Sequence, residues 1–215
     1  MSTLVIASSN RAKIVEFKEL LRGLPFQVMG VSEVLSAPPS ISETEDTFRG
    51  NAVKKATIVA EATMMLTLAD DSGLEVDALG GRPGVRSARF AHERATDAEN
   101  NAALLAALTE IEPDERQARF RCVLAVVDPF ARPGSPPIVT DGTCEGVIAT
   151  GPRGGAGFGY DPLFIVPSAG KTMAELSDME KNGISHRAVA MRALRPVLAY
   201  LSEERLRDAL RIVSV

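Results

Sequence analysis

The stretch Leu66-Thr67-Leu68-Ala69-Asp70-Asp71-Ser72-Gly73 decides the fold. It begins with an apolar run that is typical of a buried strand, and two carboxylates follow this run directly. We interpret Leu66 to Ala69 as that strand. A carboxylate without compensation at the edge of a core is costly, so we expect either solvent or a cation at Asp70 and Asp71. A polar turn of the Asp-Asp-Ser-Gly type is the alternative interpretation.

The residues before this strand predict two further strands and two helices. Leu4 to Ala7 is a short apolar strand, and turn residues and a helix with an apolar stripe follow it. A second extended piece is expected from Phe26 to Val31. The longest helix of the chain is expected from Thr47 to about Met65.

The residues after it change the pattern. Leu74 to Leu79 is strand-like, and two long strand candidates, Ala118 to Asp128 and Ile138 to Ile148, are joined by a proline-rich connection that suits a hairpin. Helices alternate with strands early, whereas the middle of the chain looks antiparallel. The pattern therefore predicts the α/β class, with a mixed sheet flanked by helices.

Local signals place the later helices. Thr96-Asp97-Ala98-Glu99 matches a capping box ahead of a helix, and so does Thr172-Met173-Ala174-Glu175. We expect helices to begin at Met173 and at about His186, and Pro196 to kink or interrupt the last one.

Composition excludes several functions. The 215 residues carry 24 Lys plus Arg against 28 Asp plus Glu, a net charge of −4 that argues against a nucleic-acid-binding surface. Cys122 and Cys144 are expected to be reduced core residues. The chain shows neither a signal peptide nor an apolar run long enough for a membrane span, so we expect a cytoplasmic protein that binds no membrane.

Charged residues stand where helix and strand chemistry alone would not put them. Lys13 lies in the first turn of a helix, where the helix dipole disfavours a cation. Either the lysine points into water, or it binds a phosphate together with the free N–H groups of the helix start. Glu43 lies in an acidic loop that could complete a Mg²⁺ site with the Asp70–Asp71 pair. The aromatic residues of Gly157-Phe158-Gly159-Tyr160-Asp161-Pro162 could lie against a planar base, or could belong to the core.

Four segments, in this order and at this spacing, resemble the inosine/xanthosine triphosphate pyrophosphatase family. They are Ala7-Ser8-Ser9-Asn10-Arg11-Ala12-Lys13, Ala69-Asp70-Asp71-Ser72-Gly73-Leu74, Gly157-Phe158-Gly159-Tyr160-Asp161-Pro162 and Ile184-Ser185-His186-Arg187. Thr47-Phe48 with Asn51, Lys55 and Ala56 also matches, and the resemblance runs from about residue 3 to 201.

The resemblance implies an ITPase-like fold: one domain over residues 1–215 with an elongated mixed sheet, two lobes around a central cleft and a helical extension from about 202 to 215. It implies a homodimer and a Mg²⁺-dependent hydrolase that converts deaminated purine triphosphates (ITP, dITP, XTP) to monophosphate and pyrophosphate. Asp71 and Glu43 would bind the metal, and Asp71, Asp70, Lys13 and Lys55 would be catalytic. The substrate would contact Ser8, Ser9, Asn10, Arg11, Ala12, Lys13, Ser72, Phe158, Gly159, Tyr160, Asp161, Lys181, His186 and Arg187.

Three questions stay open at the level of sequence. Either Asp71 or Asp70 could orient the attacking water. A Maf-type pyrophosphatase acting on dTTP or UTP opens with a similar strand and loop, although we expect Ser-x-x-Arg-Arg there and this chain has Asn10-Arg11-Ala12-Lys13. A non-catalytic nucleotide sensor is the third reading, and the presence of both aspartates argues against it.

Overall fold

The computed structural model describes residues 2–213, with side chains to residue 207. Its seven strands form one sheet in the order β2-β1-β3-β4-β5-β6-β7. β1 pairs in parallel with β2 and β3, whereas the other neighbours are antiparallel. The predicted mixed α/β sheet is confirmed. The strands are β1 (Ser2–Ile6), β2 (Phe26–Gly30), β3 (Leu66–Val76), β4 (Gln117–Val127), β5 (Ile138–Ile148), β6 (Phe164–Val166) and β7 (Lys171–Thr172).

Helices cover both faces of this sheet. They are α1 (Arg11–Leu20), α2 (Val31–Val34), α3 (Phe48–Thr63), α4 (Asp97–Ala107), α5 (Asp178–Ile184) and α6 (His186–Val213). Leu4 and Ile6 of β1 point to the face covered by α1 and α6, and Val5 points to the face covered by α3. Because strand side chains alternate, both sides of β1 are buried.

β3 is longer than predicted. The apolar run was expected to stop at Ala69, but the strand continues to Val76 and pairs with β4 along that length, with Asp70 opposite Leu124 and Asp71 opposite Val123. Both carboxylates are therefore part of the sheet and are buried, 2% and 5% exposed. The cations described below make this burial tolerable. The expected strand from Leu74 to Leu79 is the end of β3 followed by a 3₁₀ turn at Asp77–Leu79.

Two helix predictions were wrong. The capping box at Thr172 is present, but only a 3₁₀ turn, Met173–Glu175, follows it, because Leu176 is extended. A second capping box at Ser177 starts α5 instead. The longest helix is α6 and not α3.

The helix α6 runs through Pro196 without interruption. Leu194 and Leu198, on either side of the proline, are both buried in the core between α6 and the sheet. This packing offsets the hydrogen bond that a proline removes from a helix.

The expected C-terminal extension is the last part of α6. Arg205 bonds to the carboxylate of Asp128, directly after β4, and so ties this part to the sheet. Leu206 is exposed. The side chains of Leu210 and Val213, which completed the predicted helical pattern, lie outside the described residues.

Gly142 of β5 is the point where α6 lies directly on the sheet. A Cβ atom added there would lie 2.3 Å from the backbone N of Ala190 and 2.3 Å from the backbone O of His186. We expect Gly142→Ala to lower the free energy of unfolding by about 1–3 kcal/mol, the usual cost of overpacking, because backbone atoms cannot move aside like a side-chain tip. Denaturant unfolding measures this change. Gly151→Ala is the control, because its Cβ meets nothing within 4 Å; equal stability of the two variants would contradict the prediction.

Candidate active site

The turn between β1 and α1 brings Lys13 to Asp70. Asn10 caps α1, its Oδ1 accepting from the Lys13 backbone N–H at 3.2 Å, and the Asn10 N–H donates to Ser8 Oγ at 3.1 Å. Lys13 Nζ lies 2.9 Å from Asp70 Oδ2. The lysine that opposes the helix dipole therefore has a buried anionic partner, and does not point into water.

Asp70 lies among cations. Its Oδ2 also accepts a hydrogen bond from Ser72 Oγ at 2.7 Å and lies 3.6 Å from Arg187 Nε. Burial alone would raise the pKa of Asp70, but the charges of Lys13, Arg187 and Lys55 outweigh it and hold that pKa well below its usual range. A carboxylate this strongly held is a poor proton acceptor, so its surroundings suit it for positioning cations.

Asp71 faces a different set of residues. Lys55 Nζ, from α3, lies 2.7 Å from Asp71 Oδ1 and 2.6 Å from Glu43 Oε1. Burial, together with repulsion from Glu43, raises the pKa of Asp71 to about 6, although Lys55 opposes this. A carboxyl with a pKa near the working pH has the properties of a general base. Of the two aspartates, the environment therefore favours Asp71 for that role.

The two aspartates serve opposite faces of the sheet because they are neighbours in a continuous strand. Asp70 points to the face covered by α1 and α6, and Asp71 points to the face of α3. The last paired residue of β1, Ile6, lies opposite Leu68 of β3, so both carboxylates lie just beyond the point where β1 ends. A ligand at this position can reach both faces.

Two polar residues that the sequence analysis did not place in the site hold the acidic loop. Asn51 of α3 is fully buried; it accepts from the Glu45 N–H at 3.0 Å and donates to the Glu45 carbonyl at 3.2 Å and to Asp71 Oδ2 at 3.3 Å. Arg89 Nη2 donates to the Glu43 carbonyl oxygen at 2.7 Å. The position of Asn51 in the matching Thr47–Ala56 segment was the available signal.

A cavity of about 140 Å³ lies on the Asp70 side. Within the described residues its lining includes, from the predicted site, Asn10, Lys13, Ser72, Phe158, Gly159, Tyr160, Asp161, His186 and Arg187. The Phe158 ring has Arg187 Cζ at 4.9 Å and Lys181 Nζ at 5.2 Å from its centroid. An aromatic ring and two cations at one cavity suit a planar, polar ligand.

Lys181 lies beside the Phe158 ring and lines the open groove between α1 and α5, not this cavity. It lies in the last turn of α5, where the helix dipole favours a cation. Its Nζ lies 2.6 Å from Asp161 Oδ2, which also accepts from the Phe158 N–H at 3.1 Å. The pair therefore fixes the aromatic loop.

His186 and Arg187 begin α6, which Ser185 caps by accepting from the Ala188 N–H. His186 stacks on Phe120 with ring centroids 4.8 Å apart, and its buried Nδ1 has no partner among the residues described. Burial, and next the Arg187 charge, lower the pKa of His186 well below its usual value, so the ring is neutral and can both donate and accept. Arg187 also pairs with Glu16 of α1 at 3.1 Å, a contact that the sequence analysis did not foresee.

Some predicted residues lie apart from this centre. Ser9, Arg11 and Ala12 are exposed. Arg11 and Ala12 line an open groove between α1 and α5, which Phe158 and Lys181 also border. They are therefore at the rim of the site.

The carboxylates Glu43 and Asp71 fit the needs of Mg²⁺. They converge on one cation, the Lys55 ammonium, and Mg²⁺ typically takes one or two carboxylates together with water and phosphate oxygens. Among the described side chains, residues 2–207, no group of three or more His, Cys, Asp or Glu could hold a metal ion. Of the rest of the acidic loop, Glu45 pairs with Lys54 and Asp46 is exposed.

No helix among the described residues is long and apolar enough to cross a membrane.

The chain is similar to proteins of known family over most of its length. The Ham1 family model matches residues 4–197. The dITP/XTP pyrophosphatase of Bacillus subtilis is 48% identical over 198 residues, which cover 92% of this chain and 98% of the relative. The dITP/XTP pyrophosphatase of Geobacillus kaustophilus is 49% identical over 194 residues, 90% of this chain and 93% of the relative.

A solved structure of a HAM1 protein from Coxiella burnetii superposes with a TM-score of 0.83 at 45% identity, covering 93% of this chain and all of that one, 100%. Similarity of this extent, in sequence and in fold, includes every segment that builds the site. The chain belongs to the Ham1 family.

Proposed function

We propose that this protein is a nucleoside triphosphate pyrophosphatase that hydrolyses dITP, ITP and XTP to the monophosphate and pyrophosphate with Mg²⁺. The observation that carries the proposal is the ion pair between Lys13 and Asp70, which puts the β1–α1 turn and the aspartate pair in one cleft. The relatives named above, which act on dITP and XTP by name, support the same activity. Their family also disfavours the Maf-type alternative.

The triphosphate would lie where β1 ends, with its charge opposite Lys13 and Lys55. Both lysines are held by carboxylates and therefore already lie near their working positions. Glu43 and Asp71 would hold Mg²⁺, which supplies positive charge for the phosphate oxygens when it is bound. Positioning and charge compensation of this kind supply most of the catalysis in phosphoryl transfer.

Asp71 would orient the water that attacks the α-phosphorus and accept its proton, because Oδ2 of Asp70 is already taken up by Lys13, Ser72 and Arg187. The bond to the leaving pyrophosphate breaks, and Lys13 and Lys55 meet the charge on that group. Asp70 keeps Lys13 and Arg187 in place.

The base would enter the cavity beside Phe158. Hypoxanthine and xanthine present an oxygen acceptor at position 6, where adenine presents an amino donor. Arg187, whose Nε has no hydrogen-bond partner among the residues described, is a donor there that would pair with the oxygen but oppose the amino group. Neutral His186 can supply one further N–H.

A panel of ITP, XTP, GTP, ATP and dTTP, with and without Mg²⁺, tests the function. We expect kcat/KM for ITP and XTP to exceed that for ATP by roughly 10- to 100-fold, the effect of one or two mismatched buried hydrogen bonds, and removal of Mg²⁺ to abolish turnover. Pyrophosphate release is the measurement. Equal rates for all five would contradict the selectivity, preference for dTTP would support the Maf-type alternative, and binding without turnover would identify a sensor. The homodimer implied by the family resemblance and the cytoplasmic location expected from the sequence stay predictions.

A further inference from the structure

Three polar side chains on one face of α4 point at the cavity walls. Asp97 is the first residue of this helix, and Asn100 and Asn101 lie three and four positions later, so the three share one face. None of them was singled out as a site residue from the sequence. Asp97 and Asn100 line the same cavity as Phe158 and His186.

Gly159 is held by this face through both of its backbone polar groups. Its N–H donates to Asp97 Oδ2 at 2.7 Å, and its carbonyl oxygen accepts from Asn101 Nδ2 at 3.0 Å. Gly159 has a φ of +62°, a left-handed conformation that costs glycine little but that an unrestrained loop leaves easily. The helix therefore fixes the loop residue next to Phe158.

The same helix holds the opposite wall of the cavity. Asn100 is 3% exposed; its Oδ1 accepts from the Ala91 N–H at 3.0 Å and its Nδ2 donates to the Ala88 carbonyl at 3.1 Å. The Tyr160 hydroxyl donates to the neighbouring Ser87 carbonyl at 2.8 Å. One rigid element thus sets the distance between the aromatic loop and the 87–91 segment.

We propose that Asp97 and Asn101 are positioning residues for the base pocket, which they serve by holding the backbone N–H and carbonyl of Gly159 so that Phe158 faces the base. This inference rests on the proposed function for the identity of the base, but not for the contact itself. The two residues touch the loop and make no contact with Lys55 or Asp71 among the hydrogen bonds and ion pairs described. Their loss should weaken binding of the nucleotide and leave the chemical step intact.

The chain offers a matched set of variants. Asp97→Ala removes the acceptor, Asp97→Asn keeps an oxygen that can accept from the Gly159 N–H, and Asn101→Ala removes the other contact. Asp178→Ala is the control, because Asp178 is likewise exposed and is likewise the first residue of a helix behind a capping box. It removes the same favourable interaction with a helix dipole but leaves Gly159 untouched.

Two measurements test whether Asp97 and Asn101 hold Gly159 in place. The first is amide hydrogen exchange of residues 157–160 without substrate, and the second is KM and kcat for ITP. We expect Asp97→Ala to speed exchange at Gly159 and raise KM about tenfold, as for loss of one hydrogen bond to a charged group, with kcat close to the wild-type value. Asn101→Ala should act in the same direction. Asp97→Asn should restore most of both properties.

Other outcomes overturn the inference. If Asp97→Ala and Asp178→Ala showed the same hydrogen exchange and the same KM, the contact between Asp97 and Gly159 would not hold the loop. A fall in kcat at unchanged KM would place Asp97 in the chemical step. If Asp97→Asn were as impaired as Asp97→Ala, the charge and not the hydrogen bond would matter. If the wild-type protein did not turn over any nucleotide, the proposed function would be overturned. Hydrogen exchange would still show whether Asp97 and Asn101 hold Gly159.

Discussion

Replacing Asp71 by asparagine should lower kcat for ITP by roughly 10³-fold at saturating Mg²⁺, which is the scale seen when a group that stabilises a transition state directly is removed. The asparagine keeps the size of the side chain but cannot accept a proton, and it weakens the carboxylate pair with Glu43. The variant therefore removes both the proposed proton acceptor and one of the two carboxylates that converge on Lys55. Pyrophosphate release under single-turnover and steady-state conditions measures the loss.

Asp141→Asn is the control for this variant. Asp141 lies on the same rung of the sheet, because both Asp71 and Asp141 pair with Val123, yet its side chain is exposed. We expect its turnover to match that of the wild type. Near wild-type turnover by Asp71→Asn would move the role of base to another residue.

Replacing Lys55 by methionine should lower kcat/KM by about 10²- to 10³-fold, the cost of removing one preorganised charged donor. Methionine keeps the apolar stem that α3 packs but leaves Glu43 and Asp71 without the ammonium between them. Two facing carboxylates raise each other's pKa, so Asp71 would be protonated more often at neutral pH. Kinetics with ITP, together with a melting curve that confirms folding, test the prediction.

Lys54→Met provides the matched comparison on the same helix. Lys54 is more exposed and pairs with Glu45 and Thr44 at the surface, a kind of contact that contributes little. Its activity should stay within about twofold of the wild type. Should Lys54→Met and Lys55→Met lose activity alike, the effect would belong to the acidic loop in general; Lys55→Gln then separates loss of charge from loss of hydrogen bonding.

The sequence predicted the elements whose signals are local. The capping box at Thr96, the hairpin of β4 and β5 and the apolar run of β1 all follow from neighbouring residues. The continuation of β3 through Asp70 and Asp71 could not be foreseen in this way. It depends on pairing with β4, some fifty residues later, and on cations supplied by three different helices.

The site residues that could be predicted from the sequence were likewise those with local signals. Residues in compact motifs, such as Lys13, Phe158 and Arg187, could be named because several unusual residues stood together. Asn51, Asp97 and Glu16 are single polar residues within helices, where their spacing is ordinary. Their roles come from what they touch across the fold, which a sequence without its partners does not display.

The alternation of β3 has a consequence for how the protein can vary. Since neighbouring side chains of a strand leave on opposite sides, the Asp70–Asp71 dipeptide places one acid on each face of the sheet. Inserting or deleting one residue upstream in that strand would exchange the two faces, giving the lysine of α3 the wrong acid and moving every apolar neighbour to the opposite face of the sheet. The length of this strand is thus as tightly constrained as the identity of the acids it carries.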